Sequence, residues 1–198
     1  YAPFCERLAG KFLWSTLLLF CFQHENQAMK FREMLKARLQ KFGLKINDQK
    51  TKLCRFGKFA KENSKRHSEN RQTFNFLGFT FYNGTSRAGK YKVGCRTESK
   101  RLNVTMNRVT QWCKENRHQA VEWQARYLNA VLRGHYNYYG ISSNYPSICA
   151  FYRHIQKTWH RYLSRRSQRG YIKWEKFWKM LERYPLIKPW LPHSKYIN

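Results

Sequence analysis

At 198 residues the chain can form one large domain or two small ones, and with 42% hydrophobic and 17% aromatic residues it can bury a core, which excludes a disordered polybasic tail. Lys and Arg total 39 against 11 acids, a net charge of +28 that repels itself unless a polyanion supplies the counter-charge. Nucleic acid is the first candidate for that polyanion, an anionic membrane surface the second, and a merely solvated basic surface the bland alternative.

The chain does not begin with Met and reads as a fragment. Phe12–Phe22 (FLWSTLLLFCF) is its long apolar run. It is too short to span a bilayer as a helix, which needs about 20 residues. No small-x-small cleavage site follows it, so a buried strand or helix is expected. Ala28, Phe31, Leu35, Leu39 and Phe42 recur at three or four, predicting a helix over 25–42 that stops at Gly43. A polar turn follows over 44–51, then a short strand at Lys52–Phe56 and a solvated loop over 57–73, rich in Lys, Asn and Ser. Phe74, Phe76, Phe79 and Phe81 nearly alternate, with the phase broken at Gly78, which predicts strand with a bulge or a close backbone approach at that glycine. Asn83-Gly84 is a strong turn signal, and Lys90–Arg96 the returning strand.

From residue 98 the period turns helical. Leu102, Met106, Val109 and Cys113 make one stripe, and Val121, Ala125, Leu128, Leu132, His135 and Tyr139 a second. Ile148, Phe151, Ile155, Trp159 and Tyr162 make a third, and Trp174, Phe177, Trp178 and Leu181 a short fourth before Pro185. Gly134, Gly140 and Gly170 punctuate them. The expected class is α+β, a mixed N-terminal part and an all-helical C-terminal bundle, with the boundary near residues 84–98.

No two of the 11 acids are adjacent or separated by one residue. The paired carboxylates that hold two metal ions about 3.5–4 Å apart are therefore not apparent. Asp48 is the sole Asp, so no Ser/His/Asp arrangement can be built. The six cysteines are scattered, with no CxxC or CxH pair, which argues against both a zinc site and a secreted disulfide framework and for a reducing, cytoplasmic setting. No phosphate-binding glycine loop or HExxH occurs. No catalytic residue, metal ligand, cofactor, small-molecule substrate or membrane partner is expected.

A grip is expected instead. Residues 121–190 hold 16 aromatics, 13 Lys or Arg and three acids. Arg153, Lys157, Arg161 and Arg165 lie on or near one helix face, and Arg165, Arg166 and Arg169 carry the charge into a loop before Gly170. With Arg133 and Lys173 these are the expected RNA contacts, since guanidinium groups bind phosphates bidentately. Aromatic side chains stack on unpaired bases, which RNA offers in loops and bulges. Tyr136, Tyr138 and Tyr139 are the candidates, whereas Trp159, Trp174, Phe177 and Trp178 are expected in the core. Gly134, which costs about 1 kcal/mol against Ala inside a helix, is expected where something packs against the backbone. His135, with no carboxylate or Cys nearby, is not expected to be a base or a metal ligand.

Several motifs together carry a resemblance. LNAVLRGHYNYYG (128–140), FYRHIQKTWHRYLSRRSQ (151–168) and YPLIKPW (184–190), with KFGLKINDQKTKLCRFGKFA (41–60) and FNFLGFTF (74–81) upstream, are similar to the group II intron reverse transcriptase/maturase family over about residues 20–193. The combination is more specific than any piece. The resemblance implies the end of a reverse-transcriptase palm sheet over 1–82, a hairpin or linker over 83–97, and a helical thumb/maturase domain over 98–198. It implies binding of group II intron RNA or an RNA/DNA duplex, help in folding the intron for splicing, and reverse transcription during mobility. Phe76, Leu77, Gly78 and Phe79 would form the primer grip, and Lys50 would match a lysine near the incoming nucleotide. The chain departs from the family where its Tyr-Ala-Asp-Asp turn belongs: Trp14-Ser15-Thr16-Leu17 stand there, and Tyr1-Ala2 is followed by Pro3-Phe4. No zinc or HNH pattern of an endonuclease domain follows residue 190.

The expected function is therefore the RNA-binding maturase portion of such a protein, without polymerase catalysis, Mg2+ being expected only for the intact polymerase. Three alternatives stay open. The chain could belong to an active RNA-directed DNA polymerase completed by a missing N-terminal segment. It could be a general nucleic-acid or membrane-surface protein, or a pseudogene product that never folds.

Overall fold

The computed structural model describes residues 18–49, 51–59, 72–86 and 88–193, which fall into two compact units, residues 1–55 and 56–198. Among the described residues the first holds one helix, α1 (Glu25–Gln40). Gly43, at φ 69°, ends it: the Leu44 N–H reaches the Leu39 carbonyl at 3.0 Å and the Gly43 N–H that of Gln40 at 3.1 Å, the paired bonds of a Schellman stop. Arg55 grips Glu25 at 2.7 Å, and Arg32 and Lys36 reach Asp48 at 2.9 and 3.6 Å. The Arg32 hydrogen bond, then the Lys36 charge, hold the Asp48 carboxyl below its ordinary range.

Two expectations fail here. Leu18–Phe22, the described end of the apolar run, is neither helix nor strand and is exposed; Phe20 and Phe22 only lean on Phe31, at 4.7 and 5.1 Å. One helix face is too narrow to cover five such residues. Lys52–Phe56 joins no sheet among the described residues. Residues 12–17, Lys50 and most of the expected loop over 57–73 lie outside the described residues.

The second unit runs β1 (Thr73–Phe76), β2 (Phe79–Thr85), β3 (Tyr91–Thr97), α2 (Ser99–Glu115), α3 (Val121–Tyr139), a 3-10 turn at Ser142–Asn144, α4 (Tyr145–Leu163) and α5 (Trp174–Arg183). It is α+β: a three-stranded antiparallel sheet in order β1-β2-β3, then helices. Gly78 is half of a two-residue hairpin turn rather than a bulge. Leu77 and Gly78 have φ of 47° and 78°, the double left-handed geometry that suits the twist of the flanking strands. The close approach is also present, since a Cβ on Gly78 would stand 2.9 Å from the Tyr139 hydroxyl. Asn83-Gly84 is not a turn: both pair within β2, opposite Val93 and Lys92, and the chain reverses at Ser86–Lys90. Ladder pairing outweighs the local preference.

Phe74, Phe79, Phe81 and Cys95 share one sheet face, which meets the helices; Phe74 stacks on Phe81 at 5.1 Å and Cys95 Sγ lies 2.9 Å from Ser143 Oγ. Asn144 is the joint. Its Oδ1 accepts the Thr97 N–H at 2.7 Å, and its Nδ2 donates to Thr97 Oγ1 and to the Tyr139 carbonyl at 2.8 and 2.9 Å. These bonds tie the sheet to the helices within the 56–198 unit.

The core belongs to α3 and α4. Leu128, Leu132, Ile148, Phe151, Ile155 and Trp159 are fully enclosed, joined by Val109 and Cys113 from α2 and Phe177 from α5. Each such side chain contributes about 1.5–3 kcal/mol by burial. Buried Gln124 fixes the α2–α3 loop: its Nε2 donates to the Asn116 and Gln119 carbonyls at 2.8 and 3.0 Å, and its Oε1 accepts from Trp159 Nε1 at 2.7 Å. Gly134 has open space where a Cβ would stand. The close approach is six residues on, at Gly140, where a Cβ would collide with Pro192 and the Tyr136 carbonyl.

Candidate nucleic-acid interface

The apolar stripe Ile148, Phe151, Ile155, Trp159 faces inward and leaves the other side of α4 to water. Arg153, Lys157, Arg161 and Arg165 are all exposed there, three of them on the helix and Arg165 just past its end. Four-residue steps set them about 6 Å apart along the axis. Residues 123–174 carry nine cations and no acid, so no carboxylate of that stretch competes for this face. Arg133, Arg169 and Lys173 are exposed as well, Arg133 on α3 and the other two on the α4–α5 loop.

That loop returns along α4 and is pinned at one residue. The Ile172 N–H donates to Ser164 Oγ at 3.2 Å, and its carbonyl accepts from His160 Nε2 at 2.7 Å. Tyr171 just before Ile172 and Trp174 two residues after it thereby come to stand over the last turn of α4. Trp174 lies flat on buried His160, 3.9 Å between centroids and 13° between planes. Tyr171 stands nearly perpendicular to the same imidazole, at 6.1 Å and 87°. Lys157, His160, Arg161, Ser164, Arg165, Tyr171 and Trp174 line one open groove of about 460 Å³.

Trp174 is 39% exposed and Tyr171 70%, whereas Trp159 and Phe177 are fully buried. The expectation of core thus holds for Trp159 and Phe177 and fails for Trp174 and for half-exposed Trp178, because α5 is short and only its Phe177 side reaches the bundle. Sequence reasoning missed Tyr171. Its signal was an aromatic set between Arg169 and Lys173 with no apolar stripe to claim it.

The other candidates separate. Arg166 is half-buried and serves the fold, its Nη2 donating to the Gln119 carbonyl at 2.7 Å, and burial lowers its pKa. Tyr136 is enclosed, with its hydroxyl directed to the Ile187 carbonyl at 3.3 Å, so no ring face reaches the surface for a base. Tyr138 is 52% exposed, though one face stacks on Phe79 at 6.0 Å and its hydroxyl donates to the Leu77 carbonyl at 2.9 Å. Tyr139 is half-buried and meets Phe79 edge-on at 5.1 Å. The hairpin tip Leu77, Gly78, Phe79 and the end of α3 therefore come together as one aromatic corner, with Phe76 beside it on β1. His135 packs between Phe151 and Tyr139 at 4.1 and 4.7 Å, its Nε2 without a partner, and burial pushes its pKa down to about 4.

Among the described residues no three His, Cys, Asp or Glu side chains group as a metal ion would need. No described helix is long and apolar enough to cross a membrane. Set against family models, curated proteins and solved structures, the chain matches none.

Proposed function

We propose that this chain binds RNA through the exposed face of α4. Following its resemblance to group II intron reverse transcriptase/maturases, we take that RNA to be a group II intron whose folding and splicing the protein assists. In this reading the sheet is the end of a palm and the helices a thumb-like maturase domain. One observation carries the binding: Arg153, Lys157, Arg161 and Arg165 form an exposed row beside aromatic rings, in a stretch without acids. Such a row meets phosphates along a backbone, and its affinity comes from counterion release. The chain acts by holding rather than copying, which is supported by the wide spacing of its acids and the absence of a carboxylate at Trp14–Leu17.

Filter binding to structured intron RNA at graded salt tests this. The expected log–log plot of affinity against salt is steep, and Arg153→Gln, Lys157→Gln and Arg161→Gln each reduce its slope by about one. Weak, salt-insensitive binding would remove the reading. Equal affinity for intron RNA, random duplex DNA and anionic vesicles would replace it with a general polyanion binder.

A further inference from the structure

The walls of the α4–α5 groove specify more than a basic surface. Resting on the RNA-binding reading, we infer that the groove holds one unpaired nucleotide, its base on the exposed part of Trp174 and its phosphates on Lys157, Arg161 and Arg165, and so takes single strands in preference to duplex.

One face of Trp174 is covered by His160 at 3.9 Å; Phe177 and Trp178 stand beside the ring at 5.6 and 5.7 Å, and 39% of the residue stays exposed. A base laid against the exposed part of that ring extends a stack whose first two layers, His160 and Trp174, are already in place. Tyr171, perpendicular to His160, closes the side rather than forming a second parallel slab. The volume, about 460 Å³, lies in the range of small-ligand sites, roughly 300–1,000 Å³. Both rings are held before any ligand arrives, because Ile172 between them is bonded through its N–H and its carbonyl to α4. Duplex RNA can offer its phosphates to the three cations, but its bases are stacked on one another and present no free face to Trp174. Stacking tolerates every base, so the groove selects strandedness rather than sequence.

The test is fluorescence anisotropy of the full chain with a labelled oligouridine and with an RNA duplex of equal length, at one fixed salt. Trp174→Ala is expected to weaken single-strand binding about tenfold, the loss of one stacking contact, Tyr171→Ala to weaken it by a smaller factor through loss of the groove's side wall, and both to weaken duplex binding by less than about twofold. Lys157→Gln and Arg161→Gln are expected to weaken both. Trp174 also covers His160, so Tyr171→Ala, which removes an exposed ring, decides the matter if Trp174→Ala melts early. A parent protein that binds duplex as tightly as single strand, or a Tyr171→Ala variant that loses equally on both, overturns the inference while leaving RNA binding intact. Salt-dependent binding to neither RNA removes both.

Discussion

His135 shows how one buried atom sets a response to acid. Its imidazole is 7% exposed, lies between two aromatic rings, and is held neutral by burial, with its pKa down to about 4. In the unfolded chain it titrates near its ordinary value, roughly 6.5. Between those values the unfolded state binds more protons than the folded one, so stability is lost as pH falls through this window and is fully present above it. Burial lowers the pKa of His154 too, its Nε2 lying 3.2 Å from the Met106 carbonyl, and it acts in the same direction. We expect melts at pH 5 to show a loss of about 2 kcal/mol from His135 relative to pH 7. His135→Phe, which removes the unpartnered nitrogen and keeps the ring, should flatten that slope; an unchanged slope would exclude His135 as its source. At this scale the sequence was partly readable. It placed His135 on the inward stripe of α3 but did not show that its nitrogen goes unpaired. Tyr136 and Tyr138 look alike in LRGHYNYYG, yet two residues on a helix turn the side chain by about 200°, which takes one into the core and the other to the surface.

At the scale of elements, glycines discriminate between local and tertiary causes. Gly134 sits in α3 with open space around it, so Gly134→Ala is expected to stabilise by about 0.5–1 kcal/mol. Gly78→Ala is expected to destabilise by at least about 1–2 kcal/mol, because its φ of 78° is left-handed and its Cβ would press on the Tyr139 hydroxyl. Denaturant titration of both variants checks the pair, and equal effects would contradict the assignment. The four C-terminal helices were readable because each carries a stripe at helical period, and the stripe is a direct trace of the buried face. The sheet was readable in its phenylalanines but not in its turns. Asn83-Gly84 has the chemistry of a turn, yet opposite it stand Val93 and Lys92, and only the register shows that. The groove was half readable: the cations are spaced on one helix, whereas Tyr171 and Trp174 join them through a loop whose return is fixed by Ser164 and His160.

For the whole molecule, the charge of +28 acts on folding and on binding with opposite signs. Cations that repel one another in the folded state are relieved by screening, whose length falls from about 30 Å at 0.01 M salt to about 3 Å at 1 M. The melting temperature is therefore expected to rise with added salt across that range, while affinity for RNA falls across it. Calorimetry beside a binding titration in the same buffers checks this, and a melting temperature that drops with salt would show that attractive ion pairs dominate. Among the described residues, the three pairs in the 1–55 unit, Arg101–Glu98 and Arg126–Glu122 each have an exposed side chain on at least one side.

The double hold on Ile172 ties two equilibria together. The residue that positions Tyr171 and Trp174 is fastened to His160 in the final turn of α4 and to Ser164 just past it, so fraying of that turn releases both rings at once. Ligand in the groove and helix at residues 160–164 then favour each other by equal free energies, and a substitution that merely loosened the end of α4 would be felt as lost affinity.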